Sequence, residues 1–167
     1  MSVDYPIKAI SKLPHAIFLD FDGVLTDNFV YTSSDGIEFV KCNKFDSMGL
    51  SSIKEFIETI EVISSESNSS VKHRCKKLKL GLHFGVPNKL IFANKLFESY
   101  GLDSSDIMYI GNDINDLSLL NSVGIPVVVN NCHDSLCSLG FYRTTFDGGN
   151  GALREITDHL HHLYTKQ

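Results

Sequence analysis

His15-Ala16-Ile17-Phe18-Leu19-Asp20-Phe21-Asp22-Gly23-Val24-Leu25-Thr26-Asp27 is the stretch whose chemistry sets the fold. An apolar run of strand length ends in two aspartates, Asp20 and Asp22, and a glycine follows at once. Two carboxylates at the end of a buried strand are costly unless a cation is shared between them. Gly23 permits the chain to turn at that point. A divalent cation could then be shared by the Asp20 carboxylate and the backbone carbonyl of Asp22. Ligation by oxygen alone suits magnesium. A solvated strand-end turn is the competing reading, and the apolar strand before it and Thr26-Asp27 after it weigh against that.

Three more apolar runs follow, at Glu61–Ser64, Ile107–Ile110 and Ile125–Val129. Between and after them lie helical patterns over 47–58, 67–80, 89–100 and 115–122. Strands alternating with helices of this length predict a Rossmann-like α/β fold, a doubly wound parallel sheet with helices on both faces. Ligands in such folds sit outside the carboxyl ends of the strands. Ser64 ends one strand, and Gly111-Asn112-Asp113-Ile114-Asn115-Asp116 follows another. A hydroxyl beside helix-start N–H groups can hold a phosphate oxygen. The acidic turn can complete a metal site or simply cap a helix, and Asp116 could do both. Lys89 starts a helix after Pro87-Asn88, where it could neutralise phosphate charge. Phe29–Thr32 and Ile37–Lys41, joined by Ser33-Ser34-Asp35-Gly36, predict a β-hairpin directly after the first strand.

The 167 residues predict a single domain over 1–167. Apolar residues at 43% and charged residues at 21% are ordinary for a folded chain and exclude disorder. A net charge of −5 argues against the basic face that nucleic-acid binding needs. No apolar run approaches the ~20 residues of a membrane span, and residues 1–13 lack the apolar stretch of a signal peptide. Cys42, Cys75, Cys132 and Cys137 form no Cys-x-x-Cys pair, so free thiols in a reducing cytoplasm are expected. Cys132 and Cys137 have no recognised metal spacing. His159, His161 and His162 predict an exposed helix end rather than a zinc site.

The order of these motifs resembles the four-motif signature of the haloacid dehalogenase superfamily, over about His15 to Glu155. The resemblance implies roles. Asp20 would attack phosphorus and form an aspartyl-phosphate. Asp22 would protonate the leaving alkoxide and then deprotonate the attacking water. Ser64 and Lys89 would hold phosphoryl oxygens. Magnesium, on Asp20, Asp22 and the motif-four turn, would offset the repulsion between two anions. There is one departure. Family members usually place aspartate directly after the motif-four glycine, where this chain has Asn112. Either Asn112, through its amide oxygen, or Asp113 takes the role, and a neutral ligand should weaken magnesium binding.

Neither gap between motifs has room for a cap domain, which is similar to the capless sugar-acid phosphatases of this superfamily. That subgroup closes its open sites by forming tetramers through the hairpin, so a homotetramer is expected. Asp27–Tyr31, Lys41–Gly49 and the tail Gly148–Glu155 are similar to the subgroup's segments, and Asn43 and Asp46 would lie on the substrate side. Octulosonate 8-phosphatases typically carry Gly-Arg after the motif-two hydroxyl. Here Ser64-Ser65-Glu66 stands instead. Glu66, with Arg74 and Lys77 at i and i+3 on the next helix, looks like the type acting on a nonulosonate (sialic-acid-type) 9-phosphate. A 3-deoxy-octulosonate 8-phosphate phosphatase is the alternative. A further one is a non-catalytic oligomerisation module, like the C-terminal domain of acylneuraminate cytidylyltransferases. The retained Asp20, Asp22 and Lys89 favour catalysis over that module.

Overall fold

The computed structural model describes residues 5–67 and 69–166. Short strand β1 (Tyr5–Pro6) is followed by β2 (Ala16–Leu19), in which every residue is buried. The hairpin comes next: β3 (Thr26–Thr32) pairs antiparallel with β4 (Glu38–Cys42). Its turn closes where expected, with the Gly36 N–H donating to the Ser33 carbonyl at 3.0 Å. Helix α1 (Lys44–Ser52) starts earlier than the apolar spacing predicts, because the Asn43 side chain accepts the Phe45 N–H and caps it. Then come β5 (Thr59–Ile63), α2 (Ser69–Leu78) and β6 (Gly81–His83). Helix α2 stops two residues short of its predicted end because Lys79 turns left-handed, at φ 53°. Asn68, within that predicted span, lies outside the described residues. Helix α3 (Lys89–Tyr100) has the predicted bounds, set by the Asn88 cap and a left-handed Gly101.

The second half runs β7 (Ile107–Gly111), α4 (Leu117–Leu120), β8 (Ile125–Val128), α5 (Asp134–Cys137), β9 (Tyr142–Arg143) and α6 (Ala152–Tyr164). A 3-10 turn at Ile114–Asp116 precedes α4, so the predicted helix over 115–122 is shorter than its pattern. One seven-stranded sheet, ordered β1-β9-β8-β7-β2-β5-β6, holds every strand outside the hairpin. All its pairings are parallel.

From β2 the chain steps through β5 to β6, then crosses back to β7 and proceeds the other way to β8 and β9. With right-handed crossovers, this reversal puts α1 and α2 on one face and α3 to α5 on the other. The contacts agree: α6 packs on α1, and α3 on α4. Phe97 of α3 meets Phe18 of β2 at 5.0 Å between ring centroids. The β2 ends therefore lie at the switch point of the sheet, where such folds open a crevice. No helix among the described residues is long and apolar enough to cross a membrane.

Candidate active site

Asp20 follows β2, Ser64 follows β5, and Asn112 follows β7, so three adjacent strands deliver them to one end of the sheet. They line a cavity of about 390 Å³ together with Asp22, Glu66 and Asp113. The Asp20 carboxylate is held at both oxygens. Oδ1 accepts the Phe21 N–H at 2.7 Å, and Oδ2 lies 2.8 Å from Lys89 Nζ. Lys89 arrives from the first turn of α3 and is 2% exposed. Its ammonium also donates to Asp116 Oδ1 at 2.7 Å.

Asp116 is fully buried and wholly engaged. Tyr109 of β7 donates its hydroxyl to Oδ1 at 2.6 Å. The N–H groups of Asn112 and Asp113 reach Oδ2 at 2.9 and 3.3 Å. It is therefore the brace of the motif-four turn, and it shares its lysine with Asp20. Tyr109 was hidden in the sequence because an aromatic in an apolar strand looks like plain core. Its hydroxyl needed a buried partner, which was the available signal.

The electrostatics follow from this geometry. Burial, then the neighbouring Asp116 carboxylate, push the Asp20 carboxyl up to about 7, against the pull of Lys89. Burial works to strip Lys89 of its charge, but Asp20 and Asp116 outweigh it and hold the pKa above its usual value. Asp22 is raised too, by burial and then by Glu66.

The residues fit a divalent cation. Asn112 is 6% exposed, and its Oδ1 is buried without a hydrogen-bond partner. Such an orphaned acceptor is costly unless it meets a ligand. Its carboxamide lies against Gly23, where an added Cβ would come within 2.0 Å of Nδ2, and Gly23 itself has φ +78°. Asp113 is otherwise occupied: it caps the 3-10 turn, with Oδ1 accepting the Ile114 N–H at 2.7 Å. No group of three His, Cys, Asp or Glu side chains forms a metal cluster among the described residues. The orphaned amide oxygen of Asn112 is thus available to an oxygen-ligated cation.

Ser64 is 1% exposed, and its Oγ accepts the Glu66 N–H at 3.1 Å. Beyond it the predicted substrate side divides. Glu66 lines the cavity, but Arg74, Lys77, Asn43 and Asp46 do not. Arg74 turns back to α1 and donates to Ser47 Oγ and the Asn43 carbonyl. Lys77 is exposed on α2. Asn43 is spent on capping α1 and borders a separate groove. Asp46 is fully buried and accepts the Gly151 and Arg154 N–H groups at 3.2 and 2.8 Å. It ties α1 to the start of α6 because a buried carboxylate seeks helix-start donors. The structure adds Asn28, Val30, Glu38 and Val40 of the hairpin to the cavity wall. Asn28 is left-handed, at φ 67°, where the hairpin register shifts.

Between Asp22 and Ser64 the chain holds the hairpin, α1 and a 3-10 turn. Between Ser64 and Lys89 it holds α2 and β6 among the described residues. An acidic switch-point cavity with a lysine-anchored aspartate, left uncapped, defines a phosphoric monoester hydrolase of the α/β class. The chain belongs to the haloacid dehalogenase-like hydrolase family, whose model matches residues 85–151. It is 32% identical over 145 residues to 3-deoxy-D-manno-octulosonate 8-phosphate phosphatase KdsC of Escherichia coli K12, spanning 86% of this chain and 77% of that protein. A HAD family hydrolase structure from Streptomyces avermitilis superposes with a TM-score of 0.83 at 36% identity, covering 89% of this chain and 94% of that one. The octulosonate 8-phosphate phosphatase of Moraxella catarrhalis, solved with magnesium, phosphate and a KDO molecule, gives a TM-score of 0.87 at 29% identity. That match covers 94% and 91% of the two chains.

Proposed function

We propose that this chain hydrolyses the phosphate ester of a 2-keto-3-deoxy sugar acid, with Asp20 as nucleophile and magnesium as cofactor. The observation that carries the reading is the fixed Asp20 carboxylate, gripped by Lys89 and the Phe21 N–H at the sheet's switch point. Asp20, the Asp22 carbonyl and the orphaned Asn112 Oδ1 would hold the cation. When bound, it would supply positive charge that lets an anionic nucleophile approach an anionic ester. Asp20 attacks phosphorus and the ester oxygen leaves. Asp22, kept protonatable by burial and by Glu66, donates the proton to that oxygen and later takes one from water. Ser64 positions a phosphoryl oxygen, whereas Lys89, expected beside it, does not line the cavity and acts through Asp20, so most of the catalysis is placement and charge.

The likeness to KdsC supports octulosonate 8-phosphate as the substrate. The nine-carbon 9-phosphate retains one supporting observation, Glu66 at the cavity. Arg74, expected to pair with the sugar carboxylate, is directed at α1 instead.

The cavity lining includes Asp20, Asp22, Glu38, Glu66 and Asp113 but no lysine or arginine. A carboxylate-bearing substrate needs a cation there besides the metal. The hairpin meanwhile exposes Phe29, Val30, Tyr31, Ile37 and Phe39, each more than half accessible. Neighbouring copies packed on the hairpin would bury that surface and could supply the charge, which supports the homotetramer.

Phosphate release from octulosonate 8-phosphate and nonulosonate 9-phosphate, with magnesium and with EDTA, tests the reading. EDTA should abolish release. Asp20→Asn should lose at least about a thousandfold in kcat while its thermal melt stays near that of the wild type, as expected for a lost nucleophile. Near-normal turnover in that variant removes Asp20 from the mechanism.

A further inference from the structure

Two thiols outside the active site lie unusually close. Cys132 Sγ and Cys137 Sγ are 3.0 Å apart, and Cys137 Sγ also faces the Cys132 carbonyl at 3.7 Å. A disulfide needs about 2.05 Å between the sulfurs, so roughly 1 Å of closure within one tight loop would bridge them. Cys132 is buried, at 7% exposure, whereas Cys137 at the end of α5 is half-buried.

The loop is bonded to the active site. The His133 N–H, next to Cys132, donates to the Asn112 carbonyl at 2.8 Å. Asn131 Oδ1 accepts the Gly148 N–H at 3.0 Å, and Gly148 lies directly against the Gly23 carbonyl of the first acidic turn. The segment carrying both cysteines therefore braces the backbone of Asn112 and, through Gly148, the Asp22-Gly23 turn.

We infer that Cys132 and Cys137 form a reversible thiol–disulfide pair, and that closing it loosens the hold of Asn112 on the metal. The oxidant is a small-molecule disulfide of the glutathione class. Cys137, the accessible thiol, loses its proton and attacks one sulfur of that disulfide, releasing one thiol and leaving a mixed disulfide. Cys132 then loses its proton and attacks the Cys137 sulfur, expelling the second small thiol. Two protein thiols are oxidised by two electrons, one disulfide is reduced to two thiols, and the two protons pass to the departing thiolates. Burial, then the bond to Cys137, push the Cys132 thiol up to about 12, which suits it to the second, intramolecular step rather than the first. The effect on the metal rests on the magnesium reading above, while the bridge itself does not.

Reduced protein equilibrated with oxidised glutathione, then alkylated and mapped by peptide mass spectrometry, tests the pair. The expected product is a Cys132–Cys137 linked peptide, lost in Cys137→Ser and reversed by dithiothreitol. Mapping separates it from any product involving Cys42 or Cys75. Recovery of both cysteines as alkylated thiols or as separate glutathione adducts, at oxidant levels that exhaust Cys42, overturns the pair and leaves only a thiol–thiol hydrogen bond. Magnesium titration by calorimetry tests the coupling separately. Bridged protein should bind magnesium roughly tenfold more weakly than reduced protein, at the low end of what displacing a ligand's supporting partner costs. Equal affinity in the two forms overturns the coupling and leaves the bridge standing. Absence of magnesium binding in reduced protein counts against the metal reading instead.

Discussion

Asn112 stands where the sequence resemblance leads one to expect an aspartate, and its surroundings set what that difference can do. Its amide oxygen is buried without a partner, while its N–H is fixed by Asp116 and its carbonyl by His133. The backbone is thus clamped on both sides, and only the charge of the side chain differs from an aspartate. Affinity for a hard cation rises with the charge of its ligands. Asn112→Asp should therefore tighten magnesium binding by roughly tenfold, read by calorimetry. It should also lower the melting temperature of metal-free protein, because a third carboxylate would crowd Asp20 and Asp116. Unchanged affinity would remove Asn112 from the metal's ligands and favour Asp113.

At the scale of elements, the helix α6 is attached through α1 rather than through the sheet alone. Asp46 sits in the first turn of α1 and accepts two N–H groups from the start of α6. Gly149 helps bring that start into place. It is left-handed, at φ +64°, and its N–H donates to the Val24 carbonyl at 3.0 Å, so the glycine-rich tail is laid against the chain just after the first acidic turn. Asp46→Ala leaves those N–H groups short of a partner and should cost about 1–3 kcal/mol. For a chain of this size that is a fall of roughly 2–12 °C in melting temperature, while kcat per folded molecule stays near that of wild type. A large loss of kcat with an unchanged melt would instead place Asp46 at the substrate, as its sequence neighbourhood suggested.

For the whole molecule, the proposed homotetramer rests on exposed apolar surface and an acidic cavity. The hairpin projects aromatic and branched side chains into solvent, and patches of this kind mark interaction surfaces. Phe29→Ser combined with Phe39→Ser should reduce the mass seen by light scattering, from a tetramer toward a monomer, and should raise KM more than it lowers kcat. A fully active monomer would show that one chain completes its own site.

What the sequence determined by itself was the scaffold and which polar residues stand at its strand ends. Alternating apolar runs and helical patterns specify a parallel sheet, and the rule that ligands gather at strand ends points to Asp20, Ser64 and the motif-four turn without coordinates. These are local signals, because an aspartate at the end of a buried strand is conspicuous wherever it occurs. The strands β1 and β9 left no such trace, since two residues carry no periodicity. Nor could the sequence say which side chains turn inward. Arg74 and Lys77 share a helix with cavity-lining Val71, yet neither lines the cavity, because one pairs with α1 and the other faces solvent. Only the tertiary structure could set Tyr109 and Lys89 on Asp116, or His133 on Asn112. Those contacts join separate elements of the fold, and a buried polar group takes whichever partner the packing brings within reach.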